Sequence, residues 1–307
     1  MPSDRLRQRP AGRRWRGLLA CAVGLAIAGT AGVGWAAPSL RIDFIDVGQG
    51  DAALITSPTG KTVLVDGGPR KSARALTAFL ARHVHGPIDL VLLSHRHEDH
   101  LGGLPAAIRQ VGARQFMDAV EPHESAAYAT LMRTLEAQGI PVRQATRGRA
   151  IDLGGGARMV LLGPPEPVIH GSRSDVNANS VMVRLSFGGF SALFTGDAEA
   201  PTEAWLMDAG VPLHASVLKV AHHGSQYSSG AAFLRSVGAR IAVVSVGRVN
   251  EYGHPSDETL QRLAAGGASV YRTDRDGDVT IETDGSAIEL RTAEGRRQSL
   301  QAEGPRR

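Results

Sequence analysis

The chain has 307 residues, of which 42% are hydrophobic and 21% are charged. This length and composition exclude a disordered or fibrous protein and leave room for one large domain or two small ones. Residues 1–36 hold six arginines and one aspartate, a charge of +5, so the net charge of +4 leaves residues 37–307 at −1. The part expected to fold therefore lacks the basic excess typical of a strong nucleic-acid-binding surface.

Residues 1–36 have the layout of a secretory signal peptide. A basic segment precedes an apolar run of small residues at 17–35, and cleavage after Ala36 would leave small residues at the −3 and −1 positions. An uncleaved membrane anchor through residues 17–35 is the alternative, because about 18 apolar residues is the lower limit for crossing a bilayer. Either way we expect an exported protein, periplasmic or extracellular. Cys21 is the only cysteine, so residues 37–307 contain no disulfide and no thiolate ligand.

From Leu40 onward, short apolar runs predict strands and helically spaced apolar residues predict helices. The predicted strands are Leu40–Val47, Ala52–Thr56, Thr62–Asp66, Ile88–Ser94, Met159–Leu162, Ser180–Phe187, Ser191–Thr195, Val217–Ala221, Ile241–Val246, Val270–Arg272 and Val279–Glu282. The predicted helices are Ser72–His85, Leu104–Val111, Ser125–Gln138, Glu199–Asp208, Ala231–Val237 and Glu258–Ala265. Two strand-rich halves punctuated by helices indicate two packed sheets with helices outside. We expect one domain at 37–285 and a loose charged tail at 286–307.

A histidine-rich motif, Ser-His-Arg-His-Glu-Asp-His at 94–100, directly follows a predicted buried strand. Side chains alternate along extended chain, so His95 and His97 point the same way and can meet one cation. Asp99 and His100 lie beyond the turn and can reach a second cation. A solvated polar loop is the alternative interpretation.

Two further motifs follow later strands. In Thr-Gly-Asp at 195–197, the Asp197 carboxylate can bridge two cations, although an aspartate at a turn is more often a cap. In His222-His223, adjacent residues of extended chain cannot both face one point, so we expect one ligand and one supporting or substrate-facing group. We favour His222 as the ligand, and a polar loop is the alternative.

Other polar residues in turns have possible supporting roles. His254 precedes Pro255, is held out of the helical region, and can donate to a phosphate or a leaving group; a surface turn is the alternative. Asp51 and Asp66 sit in glycine-rich turns, which are mainly structural, and can hold imidazoles in orientation. The segment 175–180 has good turn residues and needs no function.

With these motifs in this order, the sequence resembles the metallo-β-lactamase superfamily, and more narrowly the soluble domain of ComEC-type DNA-uptake (competence) proteins. The likeness runs from about Leu40 to Gly285. The matching stretches are Ile45–Ala52, Val65–Gly68, Ser94–Gly103, Asn179–Ser180, Thr195–Asp197, Leu218–Ser225 and Tyr252–Ser256. The resemblance implies an α/β fold, a four-layer αββα sandwich with metals at one edge of the sheets.

The resemblance also implies two divalent metal ions, for which zinc is preferred and manganese is the alternative. The implied ligands are His95 and His97 for one cation, Asp99, His100 and either His222 or His223 for the other, and Asp197 between them. Many superfamily members supply a further histidine where this chain has Asn179-Ser180, which leaves the His95/His97 site weaker or open. ComEC-type proteins also carry a multi-helix membrane channel, for which these 307 residues have no room.

The expected reaction is hydrolysis of a small phosphodiester or a nucleic acid by a water molecule activated between two metals. Asp99 would orient or deprotonate that water, and His254 would stabilise charge on the phosphoryl group. One rival is hydrolysis of a β-lactam or another ester or amide on the same metals, because the fold hosts many chemistries. A second rival is a non-catalytic DNA-uptake accessory, against which the near-neutral charge of residues 37–307 argues.

Overall fold

The computed structural model describes residues 38–119 and 125–303. The predicted signal or anchor at 1–36 lies outside them. The strands are β1 Leu40–Phe44, β2 Ala53–Thr56, β3 Thr62–Val65, β4 Leu90–Leu92, β5 Phe116–Asp118, β6 Val142–Gln144, β7 Ala150–Gly154, β8 Ala157–Leu161, β9 Val183–Phe187, β10 Phe190–Phe194, β11 Val217–Lys219, β12 Ile241–Val244, β13 Ser269–Arg272, β14 Val279–Thr283, β15 Ala287–Thr292 and β16 Arg297–Gln301. The α-helices are α1 Ala73–His83, α2 Glu98–Leu101, α3 Leu104–Val111, α4 Ala126–Ala137, α5 Asp175–Ala178, α6 Ala200–Asp208, α7 Ala231–Val237, α8 Asp257–Ala265 and α9 Thr273–Asp276.

The strands form two mixed sheets. The first has nine strands in the order β16-β15-β14-β1-β2-β3-β4-β5-β6, and the second has seven in the order β13-β12-β11-β10-β9-β8-β7. Strands β3 to β6 run parallel to one another, as do β10 to β13. The carboxyl ends of parallel neighbours meet at one edge of a sheet, where the following loops can form a site.

Three hydrophobic cores separate four layers. Along β3, Val63 and Val65 face the core between the sheets, whereas Leu64 faces the helices α1, α3 and α4. In the second sheet, Leu193 of β10 points in the same way toward α6, α7 and α8, while its neighbours face the central core. This alternation follows from the two-residue period of a strand. The predicted four-layer αββα sandwich is confirmed.

The predicted loose tail is wrong for most of its length. Residues 287–301 form β15 and β16, which extend the first sheet beyond β14. Ile288 and Leu290 are buried in the central core, and the charged residues Glu289 and Arg291 that follow them are exposed. Residues 304–307 lie outside the described part of the chain.

Some strands were also predicted to be longer than they are, because apolar residues continue beyond the strand into the loops that carry the polar side chains. The strand expected at Ile88–Ser94 is observed only at Leu90–Leu92, and β5, β6 and β7 were not predicted. Among the described residues, no helix combines the length and the apolar character needed to cross a bilayer.

Candidate metal centre

The histidines and aspartates singled out in the sequence lie at the carboxyl ends of strands in both sheets. Asp66 follows β3, and the motif from His95 to His100 follows β4 and enters the short helix α2. Asp197 follows β10 in the second sheet, and His223 lies in a turn directly after β11. The fold therefore brings together residues that are more than 120 positions apart in the chain.

Four of these residues form a compact cluster: Asp99, His100, Asp197 and His223 each offer one nitrogen or oxygen, all within 4.8 Å of one another. His100 Nε2 lies 3.3 Å from Asp197 Oδ1. His223 Nε2 lies 3.2 Å from Asp99 Oδ2 and 3.6 Å from Asp197 Oδ2. His100, Asp197 and His223 are buried, whereas the Asp99 side chain keeps 30% of its surface exposed.

His95 and His97 lie beside this cluster. His95 Nε2 is 3.1 Å from His97 Nδ1, so the two imidazoles meet at one point, as their spacing predicts. His95 Nε2 is also 3.8 Å from Asp197 Oδ2, the second oxygen of the carboxylate that contacts His100. Asp197 thus stands between the two pairs of histidines, as the prediction of a bridging carboxylate requires.

Asp66 and Asp51 hold the two buried imidazoles of the cluster from behind. His100 Nδ1 donates to Asp66 Oδ2 at 2.9 Å, and Ser94 also donates to this carboxylate from its backbone N–H and its hydroxyl. His223 Nδ1 donates to the Ser245 carbonyl at 2.9 Å and lies 3.3 Å from Asp51 Oδ1. These contacts turn Nε2 of both rings toward the cluster, which is how ligand histidines are held in metal sites.

Lys219 completes this support. Its side chain, on the last residue of β11, is buried and forms an ion pair with the buried Asp51. Burial would raise the pKa of Asp51, but Lys219 and His223 lower it to about 2. Asp51 is therefore a carboxylate at neutral pH, held in place by a buried cation.

The electrostatics of the cluster favour bound positive charge. Burial would lower the pKa of His223, but the carboxylates of Asp197 and Asp51 raise it to about 10. Burial would also lower the pKa of His100, but the same two carboxylates and that of Asp66 raise it well above its usual value. Burial would raise the pKa of Asp197, yet the surrounding imidazoles hold it well below its usual range.

Backbone geometry at the site is unusual for non-glycine residues. Among the described residues, positive φ occurs outside glycine at Asp66, His222, His223 and Ser229. This region disfavours side chains, and such residues cluster at functional sites. Gly50 illustrates the close packing: its φ is +143°, and a Cβ there would collide with the Asp99 carbonyl oxygen.

His222 and His254 are not members of the four-residue cluster, but they line a cavity that Asp99, Asp197 and His223 of the cluster also line. His222 is 22% exposed, with Nδ1 3.2 Å from Glu199 Oε1 and Nε2 3.7 Å from Asp197 Oδ2. The ring of His254 lies 5.5 Å from that of His222, and burial together with the neighbouring imidazoles lowers its pKa to about 4. His254 is therefore neutral near pH 7. The cavity measures about 420 Å³ and is also lined by Asp99 and Tyr252.

The geometry favours His223 over His222 for the four-residue cluster, against the preference derived from the sequence. The positive φ at both residues turns the two rings apart, and no sequence pattern indicates which ring faces inward. Sequence reasoning gave no role to Lys219 or Glu199. The role of Lys219 could have been inferred from the sequence. A lysine at the end of an apolar strand is expected to be buried, and a buried charge needs a partner of opposite charge.

In place of the further histidine of many superfamily members, this chain has a structural turn. Asn179 bonds to the backbone of Ile169 and Asp175, and the Ser180 hydroxyl accepts from the Asp197 backbone N–H at 3.3 Å. The Ser180 hydroxyl thus contacts Asp197, the predicted bridging residue, at the backbone N–H of Asp197. The expectation that His95 and His97 hold one cation stays a prediction.

The fold and this centre define a class: an αββα sandwich with a histidine- and aspartate-rich metal site at the strand ends. The family model of the metallo-beta-lactamase superfamily matches residues 45–248, roughly two thirds of the chain. The chain therefore belongs to the metallo-beta-lactamase superfamily of metal-dependent hydrolases.

Competence proteins are among its relatives. ComE operon protein 3 of Bacillus subtilis is 26% identical over 260 residues, covering 78% of this chain and 32% of that protein. Recombination protein 2 of Haemophilus influenzae is 30% identical over 260 residues, covering 83% and 30%. The chain thus spans about a third of the length of these relatives. The metallo-beta-lactamase-fold protein YhfI of Bacillus subtilis has a TM-score of 0.52 at 14% identity, covering 80% of this chain and 100% of that protein, and shows the fold alone.

Proposed function

We propose that this chain is an exported phosphodiesterase that cleaves nucleic acid with the help of two divalent cations. The observation that carries the proposal is the cluster of Asp99, His100, Asp197 and His223 beside an open cavity of about 420 Å³. Converging nitrogen and oxygen donors at the wall of a cavity are the arrangement that metal-dependent hydrolysis requires.

The donor atoms fit metal ions. Among the described residues, His100 Nε2 and Asp197 Oδ1 are buried and lie 3.3 Å apart, but neither atom makes a hydrogen bond, to the other or to any further residue. Buried polar atoms are almost always paired, so orphaned atoms at one point indicate a missing partner. All the donors are imidazole nitrogens and carboxylate oxygens, which suit zinc first and manganese second. His95 and His97, with the second oxygen of Asp197, would hold the other cation.

When bound, the two cations would lower the pKa of a water molecule and stabilise charge on phosphoryl oxygens. The side chains divide the remaining work. Burial would raise the pKa of Asp99, but His100 and His223 hold it below its usual range, so this partly exposed carboxylate is ionised and can orient the attacking water by accepting a hydrogen bond from it. His254 is neutral near pH 7 and can donate one N–H hydrogen bond to the phosphate or the leaving group. Asp66 and Asp51 keep His100 and His223 aimed at the cluster.

A phosphodiester is favoured over other substrates by the relatives. Competence and recombination proteins are among the relatives that match most of this chain, and the sequence motifs resemble those of DNA-uptake proteins. Residues 1–36 support export. Because the chain spans only about a third of the length of these relatives, assigning their activities to this chain is a proposal.

The direct test is turnover of bis-p-nitrophenyl phosphate and of single-stranded DNA by purified protein loaded with Zn²⁺ or Mn²⁺. Asp197→Ala should abolish both activities, whereas Asp208→Ala, a change at an exposed residue of α6, should leave them intact. No turnover with either metal, or undiminished turnover by Asp197→Ala, would contradict the proposal.

Two rivals are separated by simple assays. Turnover of nitrocefin without turnover of either phosphodiester would favour a β-lactam hydrolase. Salt-dependent DNA binding without cleavage, by metal-loaded protein, would favour a non-catalytic DNA-uptake accessory.

A further inference from the structure

A second cavity adjoins the metal centre. It measures about 380 Å³, within the size range of small-molecule sites, and it shares Arg173 and Glu199 with the cavity above the cluster. Tyr227, Arg262 and Glu203 also line it. A substrate bound across the metal centre can therefore extend into this cavity past Arg173.

Arg173 and Tyr227 form a stacked pair at this boundary. The guanidinium carbon of Arg173 lies 3.7 Å from the centre of the Tyr227 ring. The side chain of Arg173 is 61% exposed, and Tyr227 is 44% exposed. Among the described residues, the only large aromatic side chains counted as exposed are Tyr227 and Tyr252, and they line these two adjoining cavities.

The charges of the second cavity are balanced. Arg173 lies 3.9 Å from Glu199. Arg262 donates to the backbone carbonyls of Ser229 and Ser228, and Glu203 accepts from the backbone N–H groups of the same loop. With two arginines against two glutamates, the cavity suits a neutral planar group better than a second phosphate.

We infer that this cavity binds the nucleobase next to the scissile phosphate, stacked on the Arg173–Tyr227 pair. Bases stack on aromatic rings and on guanidinium planes with little sequence preference. Stacking supplies affinity without a basic groove, which agrees with the charge of −1 on residues 37–307. The inference rests on the proposed phosphodiesterase activity, for which it names a nucleoside as the recognised part of the substrate.

The test compares two chromogenic phosphodiesters with the same p-nitrophenyl leaving group: methyl p-nitrophenyl phosphate and the p-nitrophenyl ester of thymidine 5′-monophosphate, in which thymidine takes the place of the methyl group. The measured quantity is the ratio of kcat/KM for the thymidine ester to kcat/KM for the methyl ester. Tyr227→Ala should lower this ratio about tenfold, because the ring supplies the surface on which the base stacks. Tyr227→Phe keeps the ring and should keep the ratio.

Arg173→Ala is the second variant, since an exposed side chain can be removed without unfolding the protein. It should lower the ratio in the same way, whereas Arg149→Ala, which removes an exposed arginine outside both cavities, should not. An unchanged ratio in both Tyr227→Ala and Arg173→Ala, with the methyl ester still hydrolysed, would overturn the inference alone. If wild-type protein hydrolyses neither ester, the proposed function itself fails.

Discussion

Replacing Lys219 with methionine should strongly destabilise the protein, because it leaves the buried Asp51 carboxylate without its cation. Both side chains are nearly inaccessible, with 4% and 7% of their surface exposed. Removing one partner of a buried ion pair costs about 3–5 kcal/mol of unfolding free energy. At about 2–4 °C per kcal/mol for a domain of this size, Tm should fall by about 6–20 °C. The pKa of Asp51, lowered from 3.8 to about 2, means that this contribution is present at neutral pH and is lost as the pH falls between these values.

The measurement is urea denaturation at pH 7, followed by circular dichroism. Lys71→Met is the matched control, because Lys71 is exposed and its loss should change the free energy of unfolding by less than about 1 kcal/mol. The double variant Lys219→Met with Asp51→Leu should recover much of the stability, since an apolar pair often replaces a buried ion pair at little cost. It should not recover metal affinity, because Asp51 also contacts His223. A loss below about 1 kcal/mol in Lys219→Met would refute the reasoning.

Three further changes test other parts of the structure. Asp66→Ala removes the acceptor that orients His100, and it should weaken metal binding about 10- to 100-fold in a competition titration with a chelating dye; unchanged affinity would contradict that role. His223→Ala should reduce the metal content of the purified protein, measured by mass spectrometry, and His222→Ala should reduce it less; the reverse order would restore the sequence-based preference. Truncation after Gly285 removes β15 and β16 with the buried apolar side chains of Ile288 and Leu290, and it should lower Tm clearly, whereas an unchanged Tm would support a loose tail.

The clustering of the candidate ligands could be predicted from the sequence because the main motif is local. His95 and His97 are two positions apart in extended chain and so face the same side, and Asp99 and His100 follow within one turn. The place of the distant Asp197 was predictable only in combination with that motif. The choice between His222 and His223 could not be predicted, since it depends on a left-handed backbone conformation that is uncommon outside glycine.

The last two strands were missed for a different reason. In β15, buried Ile288 and Leu290 alternate with exposed Glu289 and Arg291, which is the pattern of a strand covered on one face. β16 has no buried residue, because it lies at the open edge of the sheet, where charged side chains discourage pairing with other chains. The high charge of these residues therefore made the sequence look like a disordered tail, although the residues form strands paired in the first sheet.

The donors of the cluster come from both sheets: Asp99 and His100 follow a strand of the first, and Asp197 and His223 follow strands of the second. Any cation held by all four joins the two layers at that edge, where the Lys219–Asp51 ion pair also links them. A ligand at 100 times its Kd adds about 2.7 kcal/mol to the stability of a folded protein. In surroundings poor in such ions, the molecule would be more susceptible to proteases, so its lifetime, as well as its activity, would depend on the supply of metal.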